Sequence, residues 1–323
     1  THYPMPRIEK PNVIAWGEGH LYIVEEDSRI HRYRLDPSGP TWLSTFGRSG
    51  EGPGELDWIH RMRVRQGYLE IPNNGRYVRF TPEGHLIEEI RLPHPNLSFK
   101  NNITRINDQR YLVTHMELGA DGFTASIRLL KGDFSVHKEI FQKLMKSPKG
   151  KIALISDHLS AQEYQDQIFL CHASAEQTRI AVTSTEGQEL RTFTLPLESQ
   201  EVTPAMQDRM TRNMRIQDPS DFKEIAKRLW FPEKAPGLDR LHVHEQMLIC
   251  RTYEAIPEKE QVVFAFFDLQ GNPLGRQALF DSGRQANGTR YCLGPGCLLS
   301  IREGEAEDAD WELWIEPINL PRS

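Results

Sequence analysis

The feature that most narrows what this chain can become is a repeat. Leu21-Tyr-Ile-Val-Glu-Glu-Asp-Ser-Arg-Ile-His-Arg-Tyr33 and Tyr68-Leu-Glu-Ile-Pro-Asn-Asn-Gly-Arg-Tyr-Val-Arg-Phe80 follow one pattern, 47 residues apart. Each reads as an apolar run, two spacers, Asp or Asn, Ser or Gly, Arg, an apolar residue, any residue, Arg and an aromatic. Two alternating runs joined by a short polar turn make a β-hairpin. The first run recurs as Tyr111-Leu-Val, Ile168-Phe-Leu-Cys171, Met247-Leu-Ile-Cys250 and Cys297-Leu-Leu, which makes six copies. After most hairpins stands a second turn of one stamp: Asp36 to Gly39, Thr81 to Gly84, Ser184 to Gly187, Asp268 to Gly271, with Lys131-Gly-Asp133 in that role in the third unit.

Each unit of about 45–50 residues therefore holds four short antiparallel strands. One such sheet cannot bury both of its faces, whereas six packed side by side can. The expected fold is all-β: a six-bladed β-propeller forming a single domain over residues 1–323. The sixth unit runs out after Asp310-Trp-Glu-Leu-Trp-Ile-Glu316 without a fourth strand. The stretch Tyr3 to Lys10 precedes the first unit and has no other partner, so it is expected to complete the last blade.

One spacing breaks the rhythm. The fourth and fifth copies lie 79 residues apart, and the surplus is the segment 201–231, the one helical pattern in the chain. Pro204 opens a first helix that sets Met206, Met210 and Met214 on one side at i, i+4, i+8. Pro219 precedes a second, with Asp221 and Glu224 as a capping box ahead of Ile225, Leu229 and Trp230. A helical insertion between blades 4 and 5 follows.

Hydrophobic residues make up 38% of the chain and charged residues 26%, ordinary values for a soluble globular protein. A net charge of −6 with both signs mixed opposes nucleic-acid binding, which needs a basic face. No apolar run approaches the ~18 residues of a transmembrane helix. No signal peptide stands at Thr1, so the expectation is a cytoplasmic protein or a mature, processed form. Cys171 and Cys250 sit in apolar runs and read as small buried hydrophobes. Cys292 and Cys297 stand at the feet of a Gly-Pro-Gly hairpin, as a disulfide or as two reduced thiols.

The segment Phe46-Gly-Arg-Ser-Gly-Glu-Gly-Pro-Gly-Glu-Leu56 resembles the glycine-rich linker of NHL-type six-bladed propellers, and Arg29-Ile30 and Arg76-Tyr77 match the arginine–apolar step of that repeat. The insert followed by Trp230-Phe-Pro-Glu-Lys-Ala-Pro236 is similar to a group of bacterial NHL-like propellers. The resemblance implies an exported, extracytoplasmic protein. Related folds include a peptide-amidating lyase and calcium-dependent lactonases, whose ligands match no positions here.

Propellers bind at the mouth of the central channel, on the second-to-third-strand loops and inter-blade loops. The residues expected there are Glu25, Arg48, Asn73, His115, His172, Arg251 and Tyr253, with Met210, Arg212 and Trp230 from the insert. Glu25, His172 and Arg251 offer an acid, an imidazole and a fixed cation, or else they satisfy loop backbone and each other. The glycines of 47–54 reach no helix N-terminus, as a phosphate loop requires, and read as a linker. His242-Val-His244 sets two imidazoles on one side of a strand, where a solvated turn outweighs a metal pair.

No catalytic residue, cofactor or metal-ligand set is legible. The expected function is a non-catalytic binding module that engages a protein partner or small ligand through its insert-bearing face. Service as an accessory subunit of a membrane-associated assembly is one form of this. The alternative is a metal-assisted lyase or lactonase at the channel mouth, drawing ligands from Glu25, Asn73, His115 and His172.

Overall fold

The computed structural model describes residues 1–57, 59–93, 102–119, 122–146, 151–217, 219–256, 259–280, 290–304 and 310–320. The side chains of Met214 and Asp221, named above, lie outside the described residues.

Six four-stranded antiparallel sheets form the blades of a β-propeller. Blade 1 is Pro11–Gly17, His20–Glu25, Ile30–Asp36 and Gly39–Phe46; blade 2 is Arg63–Arg65, Tyr68–Asn73, Arg76–Phe80 and Leu86–Arg91. Blade 3 is Asn102–Asn107, Arg110–Gly119, Gly122–Lys131 and Val136–Lys146. Blade 4 is His158–Tyr164, Gln167–Ala173, Thr178–Ser184 and Glu189–Leu195; blade 5 is Arg240–His244, Met247–Ile256, Gln261–Asp268 and Pro273–Phe280. Blade 6 takes Tyr291–Gly294, Cys297–Glu303 and Trp311–Pro317 from the end of the chain and His2–Pro4 from its beginning. His2, Tyr3 and Pro4 pair with Trp314, Leu313 and Glu312, so the N-terminal strand closes the last blade as the sequence predicts.

The chain forms two compact units, Thr1–Phe99 with Arg284–Asn319, and Lys100–Gly283 with Leu320–Ser323. The first holds blades 6, 1 and 2; the second holds blades 3, 4 and 5 and the helices.

Within each unit the core lies between neighbouring blades, which explains the near-continuous apolar runs. Leu21, Tyr22, Ile23 and Val24 are all fully buried. Alternate side chains point to opposite faces of a strand. Leu21 and Ile23 thus join Met5, Leu299 and Leu313 of blade 6, while Tyr22 and Val24 join Leu69, Ile71 and Val78 of blade 2. In the second unit, Leu129 and Met145 of blade 3 pack on Leu159 and Leu170 of blade 4; Phe169 and Cys171 of blade 4 pack on Leu248 and Cys250 of blade 5. Each such side chain contributes about 1.5–3 kcal/mol.

The turn before the fourth strand has one geometry in four blades. Its fourth residue donates to the carbonyl of its first in Thr81–Gly84, Lys131–Phe134, Ser184–Gly187 and Asp268–Gly271. That residue needs a positive φ, 90° at Gly271, and in blade 3 the role falls to Phe134 at 63°, not to Gly132. The Phe134 ring rests against Tyr111, with centroids 4.6 Å apart.

All four cysteines are free. Cys292 stands opposite Leu299, and Cys297 opposite Gly294, so the two thiols are not directly facing neighbours in the hairpin. Among the described residues no helix is long and apolar enough to cross a membrane.

Candidate functional site

In the first unit the expected site residues are held by their own surroundings. Glu25 ends the second strand of blade 1 and is 2% exposed. Its Oε1 accepts hydrogen bonds from the backbone amides of Glu9 and Lys10 at 2.5 and 3.2 Å. Its Oε2 lies 2.8 Å from Arg29 Nη2 and 3.3 Å from His31 Nε2. This buried carboxylate ties the N-terminal segment to blade 1.

Asn73, at the same place in blade 2, accepts from the Asp57 amide at 3.1 Å and donates to the Asp57 carbonyl. It anchors the glycine-rich linker. Arg76 gathers that linker from inside, donating to the carbonyls of Gly50, Glu51, Gly52 and Glu55 at 2.9–3.4 Å and to Glu89 Oε1 at 3.2 Å. A loop that turns its carbonyls toward a guanidinium suits a cation, not a phosphate. Arg48 pairs with Glu55 at 2.8 Å and is otherwise exposed.

In the second unit, Arg251 forms a buried ion pair with Asp239, at 8% and 4% exposure. A charge this enclosed is stable only while its partner remains. His115 stands opposite Ser126 on the second strand of blade 3, and burial followed by the charge of Arg128 lowers its pKa. His242 is half-buried on the first strand of blade 5. Desolvation, with the positive fields of Arg240 and neighbouring groups, holds its pKa down to about 3. His244 ends the strand at the turn, as expected.

The helical insert is two helices, Pro204–Gln217 and Pro219–Ala226. Met206 and Met210 pack with Ile155, Val202, Phe231, Ala235 and Tyr253, so these two methionines seat the insert. Tyr253, on the second strand of blade 5, is 3% exposed within that cluster, and its carbonyl accepts from Arg209 Nη2 at 2.9 Å. Arg209 is thereby turned inward, toward blade 5. Leu229 and Trp230 depart from expectation. They form a short strand parallel to Ile152–Ala153 instead of extending the second helix, because the Ile152 amide bonds the Arg228 carbonyl at 2.8 Å. Arg212, Lys223, Lys227 and Arg228 face solvent, and Lys227 pairs with Glu224 at 2.6 Å.

The remaining expected residue, His172, has a different setting. A cavity of about 420 Å³ opens between the fourth strand of blade 3 and the body of blade 4. Ile140, Phe141, Leu159, Leu170 and Ala181 give it apolar walls, and Lys138, His172, Arg179 and Glu189 give it a charged margin. At one end Lys143 Nζ stands 2.7 Å from both His172 Nε2 and Asp157 Oδ2, with ring and carboxylate 3.4 Å apart. Hydrogen bonds from His172 and then Lys143 lower the Asp157 pKa. Phe141 lies against the imidazole, 5.5 Å between ring centres.

Sequence reasoning reached His172 but none of its companions. The available signal was a spacing: Phe193 follows the turn residue Gly187 by six residues, whereas Phe141 follows Phe134 by seven. The extra residue is an extra bulge in blade 3, at Ile140. Among the described residues, no group of three or more His, Cys, Asp or Glu side chains is arranged to hold a metal ion.

No family model matches the sequence, and no curated protein matches it. The NHL resemblance thus rests on the quoted residues alone. Solved structures do match in fold. A protein of Bacteroides fragilis named for its inferred export is 11% identical, with a TM-score of 0.57 over 96% of this chain and 91% of that one. A member of the DUF4221 family from Bacteroides vulgatus is 10% identical, with a TM-score of 0.56 over 100% of this chain and 96% of that one. At such identities the likeness is one of fold.

Proposed function

We propose that the protein is a non-catalytic binding module, working outside the cytoplasm, that engages a protein partner through the surface of its helical insert. The observation that carries this reading is how the insert divides its side chains. Its apolar stripe is consumed by Tyr253, Ile155 and Ala235, which fixes the helices in place. Among the described residues, the cations it leaves to solvent, Arg212, Lys223, Lys227 and Arg228, outnumber the acids Glu201, Asp208 and Glu224. A rigid platform of that charge complements an acidic protein surface and steers its approach. The resemblance of the quoted residues to NHL-type propellers and the inferred export of the B. fragilis protein support the extracytoplasmic setting. Service as an accessory subunit of a membrane-associated assembly fits the same surface. The other reading, a metal-assisted lyase or lactonase, needs converging donors that the described residues do not supply.

The test is purification at native abundance after mild cross-linking. A single stoichiometric partner is expected with the wild-type chain and with Arg91→Glu, an exposed change on blade 2. It should be lost with Arg212→Glu, Lys223→Glu and Lys227→Glu combined. Undiminished recovery with that triple variant rejects the reading.

A further inference from the structure

The cavity between blades 3 and 4 has an identifiable origin. Where neighbouring blades meet elsewhere within each unit, an aromatic ring on the fourth strand of one blade covers the turn glycine of the next. Phe46 covers Gly84, and Phe193 covers Gly271 so closely that a Cβ there would fall 2.5 Å from the ring. Phe141 occupies the equivalent register position in blade 3, opposite Ile127 as Phe193 is opposite Ile180. Blade 4 has one register shift in this strand pair and blade 3 has two. The additional bulge at Ile140 carries the Phe141 ring onto His172 and leaves Gly187 covered by the stem of Lys138. The plug is thus withdrawn from this interface alone among those described. Bulges of this kind re-aim side chains and concentrate beside functional sites.

Two further features mark the opened space as a binding site. Thr183 lines it, 2% exposed, with a hydroxyl that bonds no described residue. A buried hydroxyl left this way is destabilising unless something fills the space and bonds it. Arg179 lines it too, opposite His172 in the strand register, exposed and with no ion-pair partner among the described residues. Lys143 and Asp157 neutralise each other, and of the lining residues Lys138 and Arg179 outweigh the single acid Glu189. Apolar walls, a free guanidinium at the margin and a lone hydroxyl within define the complement of one ligand class.

We infer that this cleft binds a small amphipathic anion, an aryl or acyl carboxylate or sulfonate. Its apolar body lies along Ile140, Leu159, Leu170 and Ala181, its acid group meets Arg179, and Thr183 bonds a polar atom at the inner end. None of these residues belongs to the insert, so the inference stands or falls apart from the partner surface proposed above.

The probe is 1-anilinonaphthalene-8-sulfonate, an aryl sulfonate, titrated against the full chain and followed by fluorescence. Saturable binding of one probe per chain is expected. Arg179→Glu should weaken it by at least about tenfold, the worth of one charge-assisted hydrogen bond of about 1.5 kcal/mol. Ala181→Phe, which fills the cleft, should abolish it, while Arg212→Glu on the insert leaves it unchanged. The uncharged analogue N-phenyl-1-naphthylamine should bind wild type about as weakly as the sulfonate binds Arg179→Glu. Thermal melts of both cleft variants establish that the chain is folded. No saturable binding, or an affinity indifferent to Arg179→Glu and Ala181→Phe in folded protein, overturns the inference.

Discussion

Gly39 lies beneath the ring of Tyr3: a Cβ on the glycine would stand 2.7 Å from Tyr3 Cδ1. Tyr3 belongs to the N-terminal strand of blade 6 and Gly39 to the last turn of blade 1, so one contact joins the closing strand to the next blade. Its φ of 126° is one that side-chain-bearing residues rarely adopt.

Gly39→Ala should therefore lose more than Gly67→Ala, the natural control. Gly67 also has a positive φ, 75°, but nothing within 4 Å of a Cβ. Its substitution should cost about 1 kcal/mol, from the backbone alone. Gly39→Ala must also displace Tyr3, and a total of about 2–4 kcal/mol is expected by urea denaturation. Equal losses in the two variants would show that the Tyr3 contact carries no weight.

Glu25→Ala removes the acceptor of two backbone amides and the partner of Arg29. Unsatisfied donors should cost about 2–3 kcal/mol, moderated because Arg29 also meets Asp27 and reaches solvent. The signature is local. Hydrogen exchange at Glu9 and Lys10 should accelerate well before blades 4 and 5 respond, and Glu25→Gln, which keeps an accepting oxygen, should restore much of the protection.

Arg76→Lys keeps the charge but loses the planar fork that reaches four linker carbonyls. Limited proteolysis should then cut within 48–54 while the melting temperature falls only slightly. An unchanged digestion pattern would mean that the linker is ordered by other contacts, such as the Arg48–Glu55 pair.

His242 sets an acid limit on stability. Its folded pKa, about 3, lies below the ordinary histidine value, so the unfolded chain binds the proton first as pH falls. The neutral ring's contribution is intact above about pH 6.5 and is lost as pH falls toward 3, with a slope of up to ~1.4 kcal/mol per pH unit. His242→Gln should flatten that part of the stability–pH curve. An imidazole resonance titrating near 6.5 in the folded protein would contradict the assignment.

How much of this was legible in the sequence follows the repeat. Hairpins such as Leu21–Tyr33 announce themselves because a blade strand is buried on both faces and must be apolar throughout. The closing role of Tyr3 followed from counting strands, and Pro204 marked the helix start by its missing donor and fixed φ. A repeat places a residue within its blade but says nothing of what the adjacent blade sets against it. Glu25, Asn73 and Arg251 occupy comparable strand positions, yet their partners Glu9, Asp57 and Asp239 come from segments outside the matched pattern. The cleft at His172 hinges on one added residue in the fourth strand of blade 3, visible as a spacing and meaningless without its neighbours. Trp230 followed the rule that tertiary pairing overrides helical periodicity.

Pairing Tyr3 with Leu313 has a kinetic corollary during synthesis. The ribosome makes one strand of that pair and, more than three hundred residues later, the other. Until then blade 6 cannot assemble, and the inner side of blade 1 that Leu21 and Ile23 supply lacks its cover. Pairings so distant along the chain are reached late and slowly. The nascent polypeptide should accordingly expose a sticky apolar flank until Leu313 and its strand have been made, making it a natural client for holding chaperones.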